Sequence, residues 1–227
     1  NMNKVLVVTG SHIRKIKNGP VDQTLASLEK AGVEYVVFDG AEENPKIRDI
    51  KKGKQIYLDN NCDSIITVGG GSAHDCGKGI GIILTNGDDI TKLAGIETLD
   101  KPLPPLMAVN TTAGTGSELT RHAVITNEET HLKFVVVSWR NIPLVSFNDP
   151  MLMLGIPKAT TAATGLDAYV QAVEPYVSVD HNDITDSQCE KAIKLIQQYL
   201  PEAVANGNSI ARSRCQRPKR RGSDQDG

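Results

Sequence analysis

The chain has 227 residues, 39% hydrophobic and 23% charged, a composition that fits a soluble globular protein and excludes a disordered or fibrous one. Its net charge of −2 leaves the body of the chain without a nucleic-acid footprint, and no apolar run is long enough to span a bilayer. Four cysteines without a CxxC spacing and five histidines without an i,i+4 pair argue against a disulfide framework and the common zinc patterns, and they fit a reduced, cytoplasmic setting.

In chain order, KVLVVTG (4–10) reads as a first buried strand. VDQTLASLEKAG (21–32) repeats Leu25, Leu28 and Ala31 at helical spacing and stops at Gly32, a residue suited to a helix end. EYVVFDG (34–40) predicts a second strand, residues 45–60 a second helix, and DSIITV (63–68) a third strand. A helix follows, then PLMAVNTT (105–112), an apolar strand ending in polar residues. This alternation predicts an α/β fold, a Rossmann-like parallel sheet with helices on both faces. In such sheets ligands bind beyond the carboxyl ends of the strands. Asp39, Gly69–Ser72 and Thr111–Thr112 all fall there.

The stretch TVGGGSAHDCGKG (67–79) leaves the third strand through three glycines and a serine. Glycine triplets answer a steric need, either a tight turn or a backbone that must approach a ligand. A helix N-terminus presents free N–H groups and partial positive charge, which suits a phosphate. Ser72 can cap the helix, and Asp75 lies where a carboxylate favours the helix dipole. A plain strand-to-helix turn that binds nothing fits the same residues. The spacing is neither G-x-G-x-x-G nor a P-loop, since Lys78 is followed by Gly79 rather than Ser or Thr.

Residues 122–138 predict an antiparallel hairpin around Asn127–Thr130. Two helical stretches follow, 158–178 and 183–200, and the change of pattern places a second, all-helical domain after residue 150. The expected organisation is an α/β domain over 1–150, part of a helical domain over 151–209, and an unstructured basic tail over 210–227 that carries RSRCQRPKRR.

Three further constellations bear chemistry. Asp39 at a strand end can bond a ribose hydroxyl and repel a 2′-phosphate, or simply form the turn before Gly40. NTTAGTGSE (110–118) packs hydroxyls and glycines densely enough for a polar-ligand cradle, or for a solvent loop. In TGLDAYVQAVEPYVS (164–178), Asp167, Gln171 and Glu174 share one helix face, which lines a site or faces solvent.

Taken together, TVGGGSAHDCGKGIGI, AVNTTAGTGSELTRHAVIT, KFVVVSWRNIP, NDPMLMLGIP and TAATGLDAYVQAVEPYVS, in this order, resemble the iron-containing alcohol dehydrogenases from about residue 3 to about 208. The resemblance implies an α/β domain that binds NAD(H) and a helical domain that holds iron. It implies that Gly70, Gly71 and Ser72 hold the pyrophosphate, with Asp75 the acid of the same motif. Asp39 matches the carboxylate that selects NAD, Thr111 and Thr112 match cofactor contacts, and Lys133 matches a lysine near the ribose. Asp167 matches the first metal ligand, while Gln171 stands where the family has a histidine; an amide is a poorer ligand for iron than imidazole. The family's remaining histidine ligands have no counterpart, so the chain reads as truncated, with a tail from Ile210 unlike the family.

The implied activity is hydride transfer between NAD(H) and a small alcohol or aldehyde, such as 1,3-propanediol, with the metal as Lewis acid on the alcohol oxygen. The implied partners are that small substrate and, in the full-length form, a second copy of the chain, with no nucleic acid and no membrane. The alternative is a non-catalytic NAD-binding protein without the metal site.

Overall fold

The computed structural model describes residues 2–207. The expectation for 210–227 lies outside them. The described chain divides into two compact units, one formed by residues up to Thr111 and Ser117–Asn148, the other by Thr112–Gly116 and the residues from Asp149.

The first unit is built on five parallel strands: β1 (Lys4–Thr9), β2 (Glu34–Phe38), β3 (Ser64–Gly69), β5 (Leu106–Asn110) and β8 (Val145–Phe147), in the spatial order β2-β1-β3-β5-β8. Every residue of β3 is buried, as expected of a parallel strand covered on both faces. Leu6, Val8 and Ile65 join one core with Ile50 of α3 (Ile47–Asp59) and Ile80 and Ile83 of α4 (Gly71–Thr85). Val5 and Val7 point the other way, as strand alternation requires. On that side α2 (Pro20–Lys30), which follows the single turn of α1 (Ser11–Arg14), buries Val21, Leu25 and Leu28 and contacts β2 and β3.

Two glycines let α4 lie unusually close. A Cβ on Gly77 would stand 2.1 Å from the Thr67 methyl of β3, and one on Gly79 2.5 Å from Ile50 Cδ1 of α3. A smaller sheet, β4 (Gly95–Ile96), β7 (Leu132–Val137) and β6 (His122–Asn127), covers α4 with Ala123, Ile125 and Val136. β6 and β7 form the expected antiparallel hairpin.

In the second unit, α5 (Lys158–Tyr176) packs against α6 (Asp183–Asn206). Gly165 admits Leu200, whose Cδ1 would be 2.3 Å from a Cβ there. Asn182 Oδ1 caps α6 by accepting from Thr185 N at 3.0 Å. The helix runs six residues past the expected end at 200, straight through Pro201. Proline removes one backbone donor but does not end this helix, which closes instead on Gly207 at φ 63°.

Candidate cofactor-binding site

The strand order switches direction between β1 and β3: the chain moves from β1 outward to β2, then returns to the far side through β3, β5 and β8. A crevice opens at such a switch point, beyond the carboxyl ends of the strands. The end of β3 is Gly69, with φ 155°, a backbone conformation reserved for glycine. Gly70 is the N-cap residue of α4 in extended conformation, and no side chain caps the helix. Ser72 is therefore not the cap expected from sequence; it lies in the first turn. The N–H groups of Gly71 and Ser72 precede the first intrahelical bonds, which begin with Ala73 and His74 onto Gly70 O at 3.0 and 3.2 Å.

Around this turn the structure gathers residues distant in sequence. Ser72 Oγ accepts from Asn44 N at 3.4 Å, and Asn44 Oδ1 accepts from Lys133 Nζ at 2.6 Å. Ser72 and Lys133, both singled out in the sequence, thus meet through Asn44. Asn44 was missed; its only sequence signal is the Asn-Pro pair of a turn, and it adopts φ 52°. The hairpin is fastened to the same edge by Glu128, whose carboxylate accepts from Ile47 N at 3.1 Å and Arg48 N at 3.0 Å and so caps α3.

Thr111 is buried and donates its N–H to Gly69 O at 2.9 Å, extending β5 alongside the glycine turn. Thr112 belongs to the second unit's cluster. Asp39 is exposed at the carboxyl end of β2, where a Gly10–Gly40 bridge closes the ends of β1 and β2. No hydrogen bond ties it to the Ser72–Asn44–Lys133 group.

Asp75 turns inward. Ser117 Oγ donates to its Oδ1 at 2.6 Å, and burial pushes its carboxyl above the usual carboxylate range, opposed by the Lys78 charge, Ser117 and the Val124 N–H. In the second unit, Asp167 and Gln171 are neighbours on the exposed face of α5, with Gln171 Nε2 donating to Asp167 Oδ2 at 3.1 Å. Glu174, on the same face, is exposed too. Among the described residues, no group of three or more His, Cys, Asp or Glu side chains is placed to hold a metal ion.

Residues 1–150 match the iron-containing alcohol dehydrogenase family, and residues 161–216 match the C-terminal part of the Fe-containing alcohol dehydrogenase family. The chain belongs to the iron-containing alcohol dehydrogenases. The second match runs to 216, eight residues past the expected limit of the resemblance near 208. Among relatives, 1,3-propanediol dehydrogenase of Citrobacter freundii is 56% identical over 207 residues, covering 91% of this chain and 54% of that protein. An alcohol dehydrogenase from Oenococcus oeni has a structure with a TM-score of 0.93 and 73% identity, covering 96% of this chain and 57% of that one. A 1,3-propanediol oxidoreductase structure follows with a TM-score of 0.92 and 54% identity, covering 96% and 56%. The chain spans about half the length of the curated relatives it matches. The fold of these oxidoreductases, with its Rossmann-like parallel sheet and helical C-terminal part, is the fold expected from the sequence.

Proposed function

We propose that this chain binds NAD(H) at the switch point between β1 and β3, and that the protein oxidises a small alcohol or reduces the matching aldehyde, with 1,3-propanediol and 3-hydroxypropanal as the substrate pair. The observation that carries the reading is the uncapped start of α4, where the Gly71 and Ser72 amides stand beside the Asn44–Lys133 pair. A cradle of bare amides with an ammonium on its rim fits a pyrophosphate. NAD bound there supplies the hydride acceptor.

The chain's own groups set its selectivity. Gly70 and Gly71 keep side chains out of the phosphate position, Ser72 offers a hydroxyl, and Lys133 offers positive charge at the rim. Asp39 at the end of β2 can accept from a ribose hydroxyl and repels a 2′-phosphate. Thr111 and Thr112 serve the cofactor from the threonine-rich loop, and Asp75 steadies that loop rather than touching the ligand.

The metal is a different matter. Family members use iron, and Asp167 is a sound ligand for it, but Gln171 offers only a neutral oxygen and already bonds to Asp167. The described residues do not make up a metal site, and no catalytic step is assigned to one. That donor set favours a second reading, an NAD-binding protein without metal-assisted turnover. The three described cysteines, Cys62, Cys76 and Cys189, are free thiols, which supports placing the protein in the cytoplasm. Exposed Leu166 and Val170 along α5, with Val177 just past its end, support association of copies.

The test is a fluorescence titration with NADH and NADPH, run beside iron quantification and 1,3-propanediol oxidation with NAD. NADH binding at least tenfold tighter than NADPH supports the cofactor reading, and equal affinity sinks it. Bound iron with turnover selects the enzyme; NADH binding with neither selects the second reading.

A further inference from the structure

Lys78 is the feature the cofactor reading leaves unexplained. It lies in the second turn of α4 among glycines and isoleucines, and its exposure is 0%. Its sequence context marks it only as the wrong lysine for a P-loop. A buried ammonium is tolerated when its protons find acceptors and its charge finds a partner. Here Nζ donates to Ser117 O at 2.6 Å, His122 O at 2.7 Å and Thr120 O at 2.8 Å, with Ser117 Oγ at 3.1 Å. Three carbonyls of one short stretch use all three protons. The stretch is tied to α4 a second time by Ser117 Oγ on Asp75 Oδ1, at 2.6 Å.

That stretch ends the threonine-rich loop, which leaves the first unit after Thr111 and returns at Ser117. The departure is held by Thr111 N on Gly69 O at 2.9 Å, the return by Lys78 and Asp75. The two elements that form the glycine cradle, β3 and α4, therefore each hold one end of the loop. We propose that Lys78 is a positioning residue for the cofactor: its buried ammonium bolts residues 117–122 to α4, so that α4 and the chain leaving β5 at Thr111 are ordered before NAD(H) arrives. The proposal rests on the NAD reading above. It is a matter of preorganisation, since a loop already ordered does not have to be ordered by the ligand.

The ammonium gives the bolt a signature that simple packing lacks. The charged groups facing it are Asp75 from α4 and Glu118 from the loop, with the His122 ring on β6 held below its usual range by burial. Burial brings the Lys78 ammonium down to about 8, against the opposing pull of Asp75 and Glu118. Above that pH the neutral amine keeps two protons for three carbonyls, and one tether is lost. Fold stability moves the other way. With the folded value near 8 and the unfolded one near 10.5, the unfolded chain holds more protons between those limits, so this group makes the fold more stable as pH rises.

The experiment measures NADH affinity of the full chain at pH 7 and pH 9.5, with amide exchange over 111–122, in wild type, Lys78→Met and Ser117→Ala. Wild type is expected to bind NADH roughly fivefold more weakly at pH 9.5, and Lys78→Met roughly tenfold more weakly at pH 7 with no further pH response, on the scale of one lost charged hydrogen bond. Exchange at 117–122 should rise in Lys78→Met while β1 and β3 stay protected. Ser117→Ala keeps the ammonium and covers the case in which Lys78→Met does not fold; it should weaken binding roughly threefold and retain the wild-type pH response. Wild-type affinity in Lys78→Met, a flat wild-type pH profile, or a pH response that survives in Lys78→Met would each overturn the proposal. Faster exchange at 117–122 in Lys78→Met, with no NADH binding even in wild type, would uphold the bolt and sink the cofactor reading instead.

Discussion

Replacing Gly77 with alanine tests whether the close seating of α4 on β3 sets both stability and the cofactor cradle. The added Cβ would stand 2.1 Å from Thr67 Cγ2, far inside contact distance. Thr67 is not free to turn aside. Its hydroxyl lies 2.7 Å from His74 Nδ1 and 3.3 Å from Met107 O, so rotating the methyl away breaks a buried hydrogen bond. Overpacking of this kind costs about 1–3 kcal/mol, and a broken hydrogen bond adds about 1 kcal/mol. Alanine regains about 1 kcal/mol of helix propensity. The net loss is about 1–3 kcal/mol, or roughly 3–10 °C in Tm for a unit of this size. If α4 backs away from β3 instead, its first turn moves with it, and the loss of one amide–phosphate bond weakens NADH roughly tenfold. Circular dichroism melts and an NADH titration read the two effects. A Gly77→Ala chain that melts higher than wild type, as helix propensity alone dictates, would falsify this account of the packing.

Asp39→Gly should bring NADPH affinity up to that of NADH by removing the carboxylate that repels the 2′-phosphate; an unchanged preference means that Asp39 only forms a turn. Gly71→Val should abolish most NADH binding with little change in Tm, because the side chain enters the phosphate position and Gly71 itself is only half-buried; intact affinity would show that the glycines serve the turn alone. Gln171→His places an imidazole one turn from Asp167 and should raise ferrous or zinc uptake in equilibrium dialysis, yet 1,3-propanediol oxidation should stay at background, since two ligands do not close a catalytic site.

The α/β architecture was legible because each long element carries its own period. β1 and β3 are short runs rich in β-branched residues, α2 repeats its apolar residues every three to four positions, and the hairpin turns at polar residues. What escaped is what lacks length. β8 is only Val145–Phe147, and it forms a strand because β5 offers it an edge, with Met107, Ala108 and Val109 as partners. β4 is two residues long and exists only as a pair for Val136 and Val137. No local signal marks either one; tertiary pairing makes them. At α6 the error ran the other way, because Pro201 reads as a stop while the packed helix tolerates one missing donor.

The candidate site shows the same division between what a motif says and what only packing decides. Gly70, Gly71 and Ser72 advertise themselves, because a helix entered through glycine after a buried strand is rare enough to raise the question. Asp75 advertises itself too, and packing decides where it points: one turn into α4, its carboxylate accepts from Ser117 Oγ and the Val124 N–H. Asn44 shows in the sequence only as the Asn-Pro pair of a turn, and its place at the site becomes visible once β7 brings Lys133 against it. Lys78 is the instructive case, because its signal was there to be used. A lysine in a helix whose neighbours are Cys76, Gly77, Gly79 and Ile80 cannot snorkel to water from that face, and a charge that cannot reach water must have a carboxylate and several carbonyls waiting for it. Here the carbonyls come from Ser117 and Thr120 of the hydroxyl-rich stretch and from His122 at the first position of β6, and Glu118 of the same stretch supplies an acid. Read in that direction, a single buried charge points from the helix to the segment that must hold it.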